Sequence, residues 1–265
     1  MKNKTEPVTI ILPCSDGISD SNFPYPKELI KINEEMSVID FSFHHILASQ
    51  IKPRVVVIVA PNKFETVRYL FERYNDKVDL VFVFQKSREQ KVTNANAIAI
   101  RSAEHLFSDK NILLMPDTII ERKDNQTSLI DTMLAALNRQ SFVFAHKKEV
   151  SVTRLKLFGA LKIEDDVVVD YEDKPVDNSA GYNAFWASFG FKREVFEEVI
   201  SVIEGSTLKK GNYKRDFQKS VMHKTSTVEV SEYIDIATWT HLNAYLMRQY
   251  LEQSGIDPGF FKVNK

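Results

Sequence analysis

Short apolar runs rich in β-branched residues alternate with longer amphipathic segments along the first half of the chain. The runs are four or five residues long, the length of a buried strand, whereas the longer segments space their apolar residues as a helix does. This alternation is typical of parallel βαβ units in a doubly wound sheet. It predicts strands at 8–12, 55–59, 80–84, 112–115 and 142–145, and helices at 38–50, 62–74, 94–107 and 128–138.

The pattern changes in the second half of the chain. Two apolar segments, 158–163 and 167–171, flank the acidic turn Glu164-Asp165-Asp166, which indicates a β-hairpin. An aromatic strand at 182–191, a helix at 194–203, a lysine-rich loop at 208–215 and a closing helix at 239–253 follow. We therefore expect an α/β fold with a single doubly wound, mostly parallel sheet that carries a β-rich insertion.

Composition narrows the class of protein. The 265 residues are 43% hydrophobic and 27% charged, which suits one large globular α/β domain. The formal net charge of −1 gives no electrostatic attraction for nucleic acid, and we expect no such partner. The single cysteine, Cys14, excludes an intrachain disulfide and favours the cytoplasm. Apolar runs are too short for a signal peptide or a bilayer span, so no membrane association is expected.

One apolar run, at 112–115, stops at a lone carboxylate, Asp117. Ligands of parallel α/β sheets collect beyond the carboxyl ends of the strands, and a carboxylate there can hold a divalent cation against phosphates. Asp235 occupies a comparable place far downstream, and Lys27 follows the loop after the first strand. Together these residues suggest metal-assisted phosphoryl chemistry. A structural role for Asp117 as a turn cap stays open.

Several motifs of the first half occur in an order that resembles the nucleotidyltransferases that activate sugar phosphates. Residues 26–29 resemble the family's Pro-Lys-x-Leu, and Gln85 resembles the glutamine that reads the base. Residues 93–98 resemble the Gly-Thr-Ala-x-Ala start of a helix beside the nucleotide. Residues 115–117 resemble the Gly-Asp pair whose carboxylate binds magnesium.

The resemblance continues through the second half and covers nearly the whole chain. Residues 158–159 resemble Tyr-Gly, where the sugar packs on backbone, and 172–175 resemble Glu-Glu-Lys-Pro. Residues 182–186 resemble Asn-Ala-Gly-x-Tyr, and 233–238 resemble Trp-x-Asp-x-Gly-Thr with its second magnesium ligand. This implies one Rossmann-like domain, with a nucleotide-binding part over about 1–145, an acceptor-binding part over about 146–238 and a closing helix over about 239–253.

The resemblance also implies an activity. A nucleoside triphosphate and a sugar phosphate, or a related alcohol phosphate, would react with Mg²⁺ as cofactor and release pyrophosphate. The implied catalytic residues are Lys27, Asp117 and Lys174; the nucleotide-binding residues are Leu12, Pro13, Cys14, Ser15, Gly17, Gln85, Asn94 and Pro116; the substrate-binding residues are Gly159, Asp173 and Asn183; and the metal ligands are Asp117 and Asp235.

The phosphate loop departs from the family pattern. The family has Gly-x-Gly-Thr-Arg, whereas residues 13–19 read Pro-Cys-Ser-Asp-Gly-Ile-Ser, without the arginine. Asp16 and Asp20 would repel phosphate unless a cation intervenes. A non-catalytic nucleotide-sugar-binding or regulatory module of the same fold therefore stays open. A GT-A-like glycosyltransferase is disfavoured because Thr118 and Ile119 follow Asp117 where Asp-x-Asp is usual. The base, the sugar and assembly into a homo-oligomer are also left open.

Overall fold

Strands and helices alternate as the apolar pattern predicts. The computed structural model describes residues 7–15, 25–85, 95–122, 128–176, 181–236 and 239–254. The strands are β1 (Val8–Cys14), β2 (Arg54–Val59), β3 (Asp79–Phe84), β4 (Lys110–Leu113), β5 (Thr118–Glu121), β6 (Phe142–Lys148), β7 (Gly159–Glu164), β8 (Val167–Asp173), β9 (Ala184–Lys192), β10 (Thr227–Glu229) and β11 (Glu232–Asp235). The helices are α1 (Ile39–Leu47), α2 (Phe64–Tyr74), α3 (Ala95–Ser102), α4 (Leu129–Leu137), α5 (Val152–Leu155), α6 (Phe196–Leu208), α7 (Tyr213–Lys219) and α8 (Trp239–Ser254).

The central sheet has the order β10-β6-β9-β4-β1-β2-β3 within the described residues. Neighbouring strands run parallel except β9, which pairs antiparallel with both β4 and β6. The predicted hairpin is present as β7 and β8, and β7 extends the sheet from the start of β9. The predicted mostly parallel α/β sheet is confirmed. Because β9 lies between β4 and β6, the two halves of the chain share this sheet.

Helices cover both faces of the sheet because its central strands are apolar on both sides. In β2, Val55 and Val57 belong to one buried cluster, which α1, α2 and α4 complete. Val56 and Ile58 point into a second cluster, formed with α3, α6 and α7. Alternation of side chains along a strand explains this division, and burial on both faces is typical of parallel sheets.

The structure differs from the sequence predictions at several element boundaries. The predicted loop over 208–215 gives way to α7, which begins at Tyr213. The Asn212 side chain accepts a hydrogen bond from the Arg215 backbone N–H, and Phe217 is buried beneath the helix. The helix predicted over 94–107 ends as an α-helix at Ser102 and continues as a 3₁₀ turn at Glu104–Leu106.

A small second sheet, which the apolar pattern did not predict, joins β5 to β11 in antiparallel pairing. Its register places Asp235 opposite Thr118. Helix α8 covers it through Leu242 and Tyr245, which share a buried cluster with Ile119. This sheet therefore brings a segment near the end of the chain to the carboxyl end of β4. No helix in the described part of the chain has the length and apolarity needed to span a membrane.

Candidate active site

A cavity of about 360 Å³ lies where β4 ends, between the β7–β8 hairpin and β11. Ligand sites of open α/β sheets are expected at this edge. Six of the residues implied by the motifs line this cavity, although they come from five separate stretches of the chain: Lys27, Asp117, Gly159, Asp173, Lys174 and Asp235.

Asp117 and Asp235 are brought together by backbone pairing. The Ile236 N–H donates to the Asp117 carbonyl at 3.0 Å, next to the pairing of Asp235 with Thr118. Both aspartates line the cavity, and Asp117 is buried. Burial raises the pKa of the neighbouring Tyr233 well above its ordinary value, and the negative charges of Asp235 and Asp117 raise it further. The site thus gathers negative charge at the end of β4.

Lys27 balances part of that charge. Its Nζ lies 2.6 Å from Asp117 Oδ2, and the two side chains are 15% and 9% exposed. Lys27 begins the 3₁₀ turn Lys27–Leu29 directly after Pro26. An ion pair that solvent reaches only partly is strong, yet its partners can still be exchanged for a bound anion or cation.

A buried network that we did not predict from the sequence anchors this turn. Lys63 Nζ lies 3.0 Å from Glu28 Oε2, and Thr66 Oγ1 donates to Glu28 Oε1 at 2.8 Å. All three side chains are buried. Buried charges require partners of this kind. Because Glu28 adjoins Lys27, the network fixes the backbone from which Lys27 reaches Asp117.

The residues predicted to meet the nucleotide phosphates lie at the end of β1. Leu12, Pro13 and Cys14 are its last residues, and Ser15 follows; all of them are buried. Pro13, Cys14 and Pro116 border a small space beside Lys27 and Asp117. Gly17, which would complete this loop, lies outside the described residues.

Gln85 follows β3 at the same edge of the sheet. Its backbone N–H donates to the Val59 carbonyl at 2.9 Å, which fixes its position. The residue is 6% exposed, and its Nε2 has no hydrogen-bond partner within the described residues. A buried donor without a partner costs free energy, and a ligand acceptor would remove that cost. Asn94, the other residue predicted to lie near the nucleotide, is outside the described residues.

The residues predicted to bind the acceptor lie partly where β8 ends. Asp173 Oδ2 accepts from Thr207 Oγ1 at 2.8 Å, and the Asp173 N–H donates to Ser206 Oγ at 2.9 Å. Lys174 has a left-handed φ of 47°, and its N–H donates to the Phe158 carbonyl at 3.0 Å. Non-glycine residues in this conformation are strained and often mark functional sites. No motif in the sequence pointed to Ser206 or Thr207, which lie in the last turn of the amphipathic helix α6.

Gly159 begins β7 and lies against the indole of Trp186. A Cβ at this position would be 1.9 Å from Trp186 Nε1, so glycine is required for this packing. Glu172 points instead into a polar network with Lys209 and Tyr182. Burial acts to raise the pKa of Glu172, but hydrogen bonds from Lys209 and Tyr182 outweigh it and lower that pKa.

Asn183 has a different environment from the one predicted. Its side chain accepts from the Ile163 N–H at 2.9 Å and donates to the Ile163 carbonyl at 2.8 Å. It does not line the cavity that the described residues form. The amide thus continues the pairing between β7 and β9 beyond the start of β9, and its contact with substrate stays a prediction.

The fold and this edge of the sheet define an α/β protein with a charged cavity beyond the carboxyl end of β4. The family model of nucleotidyl transferases matches residues 22–246, and the chain belongs to that family. The family expected from the motifs is confirmed.

Solved structures agree with this assignment. A UDP-glucose pyrophosphorylase complexed with UDP-glucose has a TM-score of 0.71 at 14% identity, covering 93% of this chain and 99% of its own. A glucose-1-phosphate thymidylyltransferase from Bacillus anthracis, in complex with sucrose, has a TM-score of 0.69 at 14% identity, covering 91% and 94%. A UTP-bound UGPase from Acinetobacter baumannii has a TM-score of 0.67 at 12% identity, and the match covers 93% of this chain and 94% of its own. No curated protein matches the chain. At these identities the solved structures establish the shared fold.

Proposed function

We propose that the protein transfers a nucleoside monophosphate from a nucleoside triphosphate to a sugar phosphate or a related alcohol phosphate. The observation that carries this proposal is that Asp117 and Asp235 line one cavity, where Asp235 pairs with Thr118, the residue after Asp117, and Lys27 Nζ lies 2.6 Å from Asp117 Oδ2. A phosphate oxygen of the acceptor would form a bond to the α-phosphorus, and the bond from that phosphorus to the β-phosphate oxygen would break. Pyrophosphate would leave.

The two aspartates fit a divalent cation. The described residues contain no group of three or more histidine, cysteine or carboxylate side chains that could hold a metal. Mg²⁺ commonly takes one or two protein carboxylates and completes its coordination with substrate phosphates and water. Asp117 and Asp235 would therefore hold Mg²⁺ together with the triphosphate. When bound, the cation would neutralise charge on the reacting phosphates.

The side chains themselves position two anions that repel each other. Lys27 would leave Asp117 for the nucleotide phosphates, and Lys174 would meet the acceptor phosphate. Asp173, held by Thr207, would accept a hydrogen bond from an acceptor hydroxyl. Alignment and charge neutralisation of this kind supply most of the catalysis in phosphoryl transfer. In this assignment, residues 1–145 bind the nucleotide and residues 146–238 bind the acceptor.

The nucleotide specificity is open to direct measurement. Two of the solved structures described above contain UDP-glucose or UTP. Gln85 Nε2, which has no hydrogen-bond partner among the residues that the structure describes, would donate to an acceptor atom of the base, as uracil or thymine carbonyls provide. We expect a cytoplasmic location because the chain has a single cysteine. Light scattering would measure whether the chain assembles into a homo-oligomer.

A pyrophosphate-release assay tests the proposal. The purified chain is incubated with each of the common nucleoside triphosphates and a panel of sugar 1-phosphates, with Mg²⁺ and with excess chelator. Release that needs triphosphate, acceptor and Mg²⁺ together supports the proposal. Binding of a nucleotide sugar without turnover for any pair would favour the non-catalytic module. Release of a nucleoside diphosphate from a nucleotide sugar would favour a glycosyltransferase.

A further inference from the structure

The last turn of α6 holds Asp173 at three points. The Asp173 N–H donates to Ser206 Oγ at 2.9 Å, and its Oδ2 accepts from Thr207 Oγ1 at 2.8 Å. Lys209, the residue directly after this helix, donates from Nζ to the Asp173 carbonyl at 2.6 Å. One helical turn therefore fixes both the main chain and the carboxylate of Asp173.

Lys209 has a backbone conformation that disfavours lysine. Its φ is 50° and its ψ is 35°. The Lys209 N–H donates to the Ser206 carbonyl at 3.4 Å, and the Lys210 N–H donates to the Gly205 carbonyl at 3.1 Å. These two bonds form a Schellman motif, whose left-handed residue is usually glycine because a Cβ costs free energy there. A lysine in this strained position indicates a role for its side chain.

The Lys209 ammonium also contacts Glu172, with Nζ 2.7 Å from Oε1. Glu172 has other donors, because Tyr182 donates to its Oε2 at 2.9 Å and Lys214 Nζ lies 3.2 Å from the same atom. The carboxylate of Glu172 would therefore keep hydrogen-bonded and charged partners without Lys209. This makes the contact with the Asp173 carbonyl the more informative of the two.

The Asp173 carbonyl belongs to the peptide group that joins Asp173 to Lys174. The N–H of the same peptide group, which is that of Lys174, donates to the Phe158 carbonyl at 3.0 Å. Lys209 and Phe158 thus hold this planar group from its two sides, which fixes its orientation. Asp173 and Lys174 both line the cavity, whereas Lys209 is not among the described residues that line it.

We infer that Lys209 is a positioning residue for acceptor binding. By holding the peptide group between Asp173 and Lys174, it directs the carboxylate and the ammonium of these residues toward one acceptor molecule. The inference rests on the proposed function, which assigns both residues to the acceptor. Without the Lys209 ammonium the peptide group loses one of its two restraints, so the acceptor should bind less well while the triphosphate is unaffected.

Lys209→Met tests the inference, because it removes the ammonium and keeps the side-chain stem and the left-handed position. Acceptor kcat/KM should fall by about tenfold, the effect expected from loss of a charge-assisted hydrogen bond. KM for the triphosphate should stay near the wild-type value. Initial rates of pyrophosphate release over a grid of both substrates give these constants. Wild-type acceptor kcat/KM, or an equal rise of both KM values, would overturn the inference.

A pair of glycine variants separates positioning from a purely structural role. Lys209→Gly and its matched control Lys224→Gly both place glycine at a left-handed position, since φ of Lys224 is 58°. Lys224 is exposed, and its N–H donates to the Val168 carbonyl near the other end of β8. Glycine suits both backbones, so both variants should fold and melt close to the wild type.

Only Lys209→Gly should lose acceptor kcat/KM, and by as much as Lys209→Met. A lysine that merely ended α6 could be replaced by glycine without functional loss. Wild-type kinetics in Lys209→Gly, or equal losses in Lys209→Gly and Lys224→Gly, would therefore overturn the inference.

A double variant separates the contact with the Asp173 carbonyl from neutralisation of Glu172. Lys209→Met combined with Glu172→Gln removes the charge that Lys209 partly neutralises, and the Asp173 carbonyl still lacks its ammonium. Acceptor kcat/KM of the double variant should remain about tenfold below that of Glu172→Gln alone. Equal values in these two proteins would mean that Lys209 acts only on the charge of Glu172, which would overturn the inference.

A binding measurement separates the inference from the proposed reaction. Hexose 1-phosphates are titrated by calorimetry into wild type, Lys209→Met and Lys224→Gly, with no triphosphate present. The ester that the wild type binds most tightly should bind about tenfold more weakly to Lys209→Met and equally well to Lys224→Gly. This result without pyrophosphate release by any protein would support the inference and reject the reaction. Equal binding by all three proteins, or no binding of any ester by the wild type, would overturn the inference.

Discussion

Lys27 offsets part of the negative charge of two aspartates in the site before any substrate arrives. Asp117 and Asp235 supply negative charge, and Lys27 pairs with Asp117 at 2.6 Å. A cation and a triphosphate together would replace this pairing, since the cation takes the carboxylates and the phosphates take the lysine. The residue-scale consequence is that Asp117 and Lys27 should both affect turnover without being needed for folding.

Asp117→Asn should reduce turnover by about two orders of magnitude or more, the effect expected from loss of charge stabilisation at a metal. The change is nearly isosteric, so the melting temperature should stay close to that of the wild type. Asp79→Asn is the matched control, because Asp79 of β3 makes an exposed ion pair with Arg54 of β2. Steady-state pyrophosphate release checks the prediction. Full turnover in Asp117→Asn would exclude this carboxylate as a metal ligand.

The two lysines of the site should be separable by kinetics. Lys27→Ala should lower kcat, because its charge acts on the nucleotide phosphates as they react. Lys174→Ala should mainly raise KM for the acceptor and leave KM for the triphosphate near its original value. Initial rates over a grid of both substrates distinguish these outcomes. Equal effects of Lys174→Ala on both KM values would place this lysine outside the acceptor subsite.

The buried pair of Lys63 and Glu28 should show the asymmetry of buried ion pairs. Lys63→Met leaves an unpaired buried carboxylate and should lower the free energy of unfolding by about 3–5 kcal/mol. Adding Glu28→Leu to Lys63→Met should recover much of that loss, because the unpaired charge is then gone. Urea unfolding of the single and double variants measures this difference. A double variant less stable than the single variant would contradict the assignment of an ion pair.

At the scale of elements, the sequence predicted those parts of the fold that depend on local pattern. The strand at Arg54–Val59 is a continuous apolar run, and such runs mark buried parallel strands. The sheet of β5 and β11 was missed because each strand has only four residues and its partner is distant in sequence. No local pattern encodes such a pairing, and yet it sets the position of Asp235.

Candidate residues could be predicted where they belong to a sequence motif. They were missed where only tertiary contacts bring them to the site. The motif order identified Lys27 and Asp173, which line the cavity. Charged residues are mostly exposed, so nothing in the sequence distinguished the buried Lys63 and Glu28 from a solvated pair. A side chain that bonds to the backbone of a neighbouring strand, as Asn183 does, looks identical in sequence to one that contacts a ligand.

The start of β7 gives an element-scale prediction. Gly159→Ala should displace the Trp186 indole, because the added Cβ would lie 1.9 Å from its Nε1. Acceptor KM should rise and stability should fall. Gly205→Ala within α6 is the matched control, since its Cβ would meet Tyr213 at an ordinary 3.5 Å. That change should add about 0.5–1 kcal/mol to the free energy of unfolding and leave acceptor KM unchanged. Kinetics and thermal unfolding of both variants check the pair.

At the scale of the whole molecule, one shared sheet carries both halves of the chain. Strand β9 from the second half lies between β4 and β6, and β7, which begins at Gly159, pairs with its first residues. The proposed nucleotide-binding and acceptor-binding halves therefore cannot separate without breaking the central sheet. We expect the chain to unfold in one cooperative step, so that the groups buried around β9 set the stability of the whole protein.

His146 on β6 should make that stability sensitive to acid. The residue is 3% exposed, and burial lowers its pKa to about 4, below the ordinary 6.5. The charges that act on it are those of Glu229, Lys148 and Asp166. Between pH 6.5 and 4 the unfolded chain binds a proton at this ring that the folded chain does not. The free energy of unfolding therefore decreases as pH falls from 6.5 toward 4, because the proton binds only to the unfolded chain.

Substitution of this ring tests the sign and the size of the effect. Wild type should lose roughly 1–2 kcal/mol through His146 between about pH 7.5 and pH 5. His146→Leu should remove that part of the pH dependence, whatever it does to the absolute stability. His105→Leu is the control for the loss of a histidine, because His105 is exposed. Urea unfolding of the three proteins at both pH values gives the comparison. If wild type and His146→Leu lose the same free energy of unfolding, the ring titrates as it does in water and burial has not lowered its pKa.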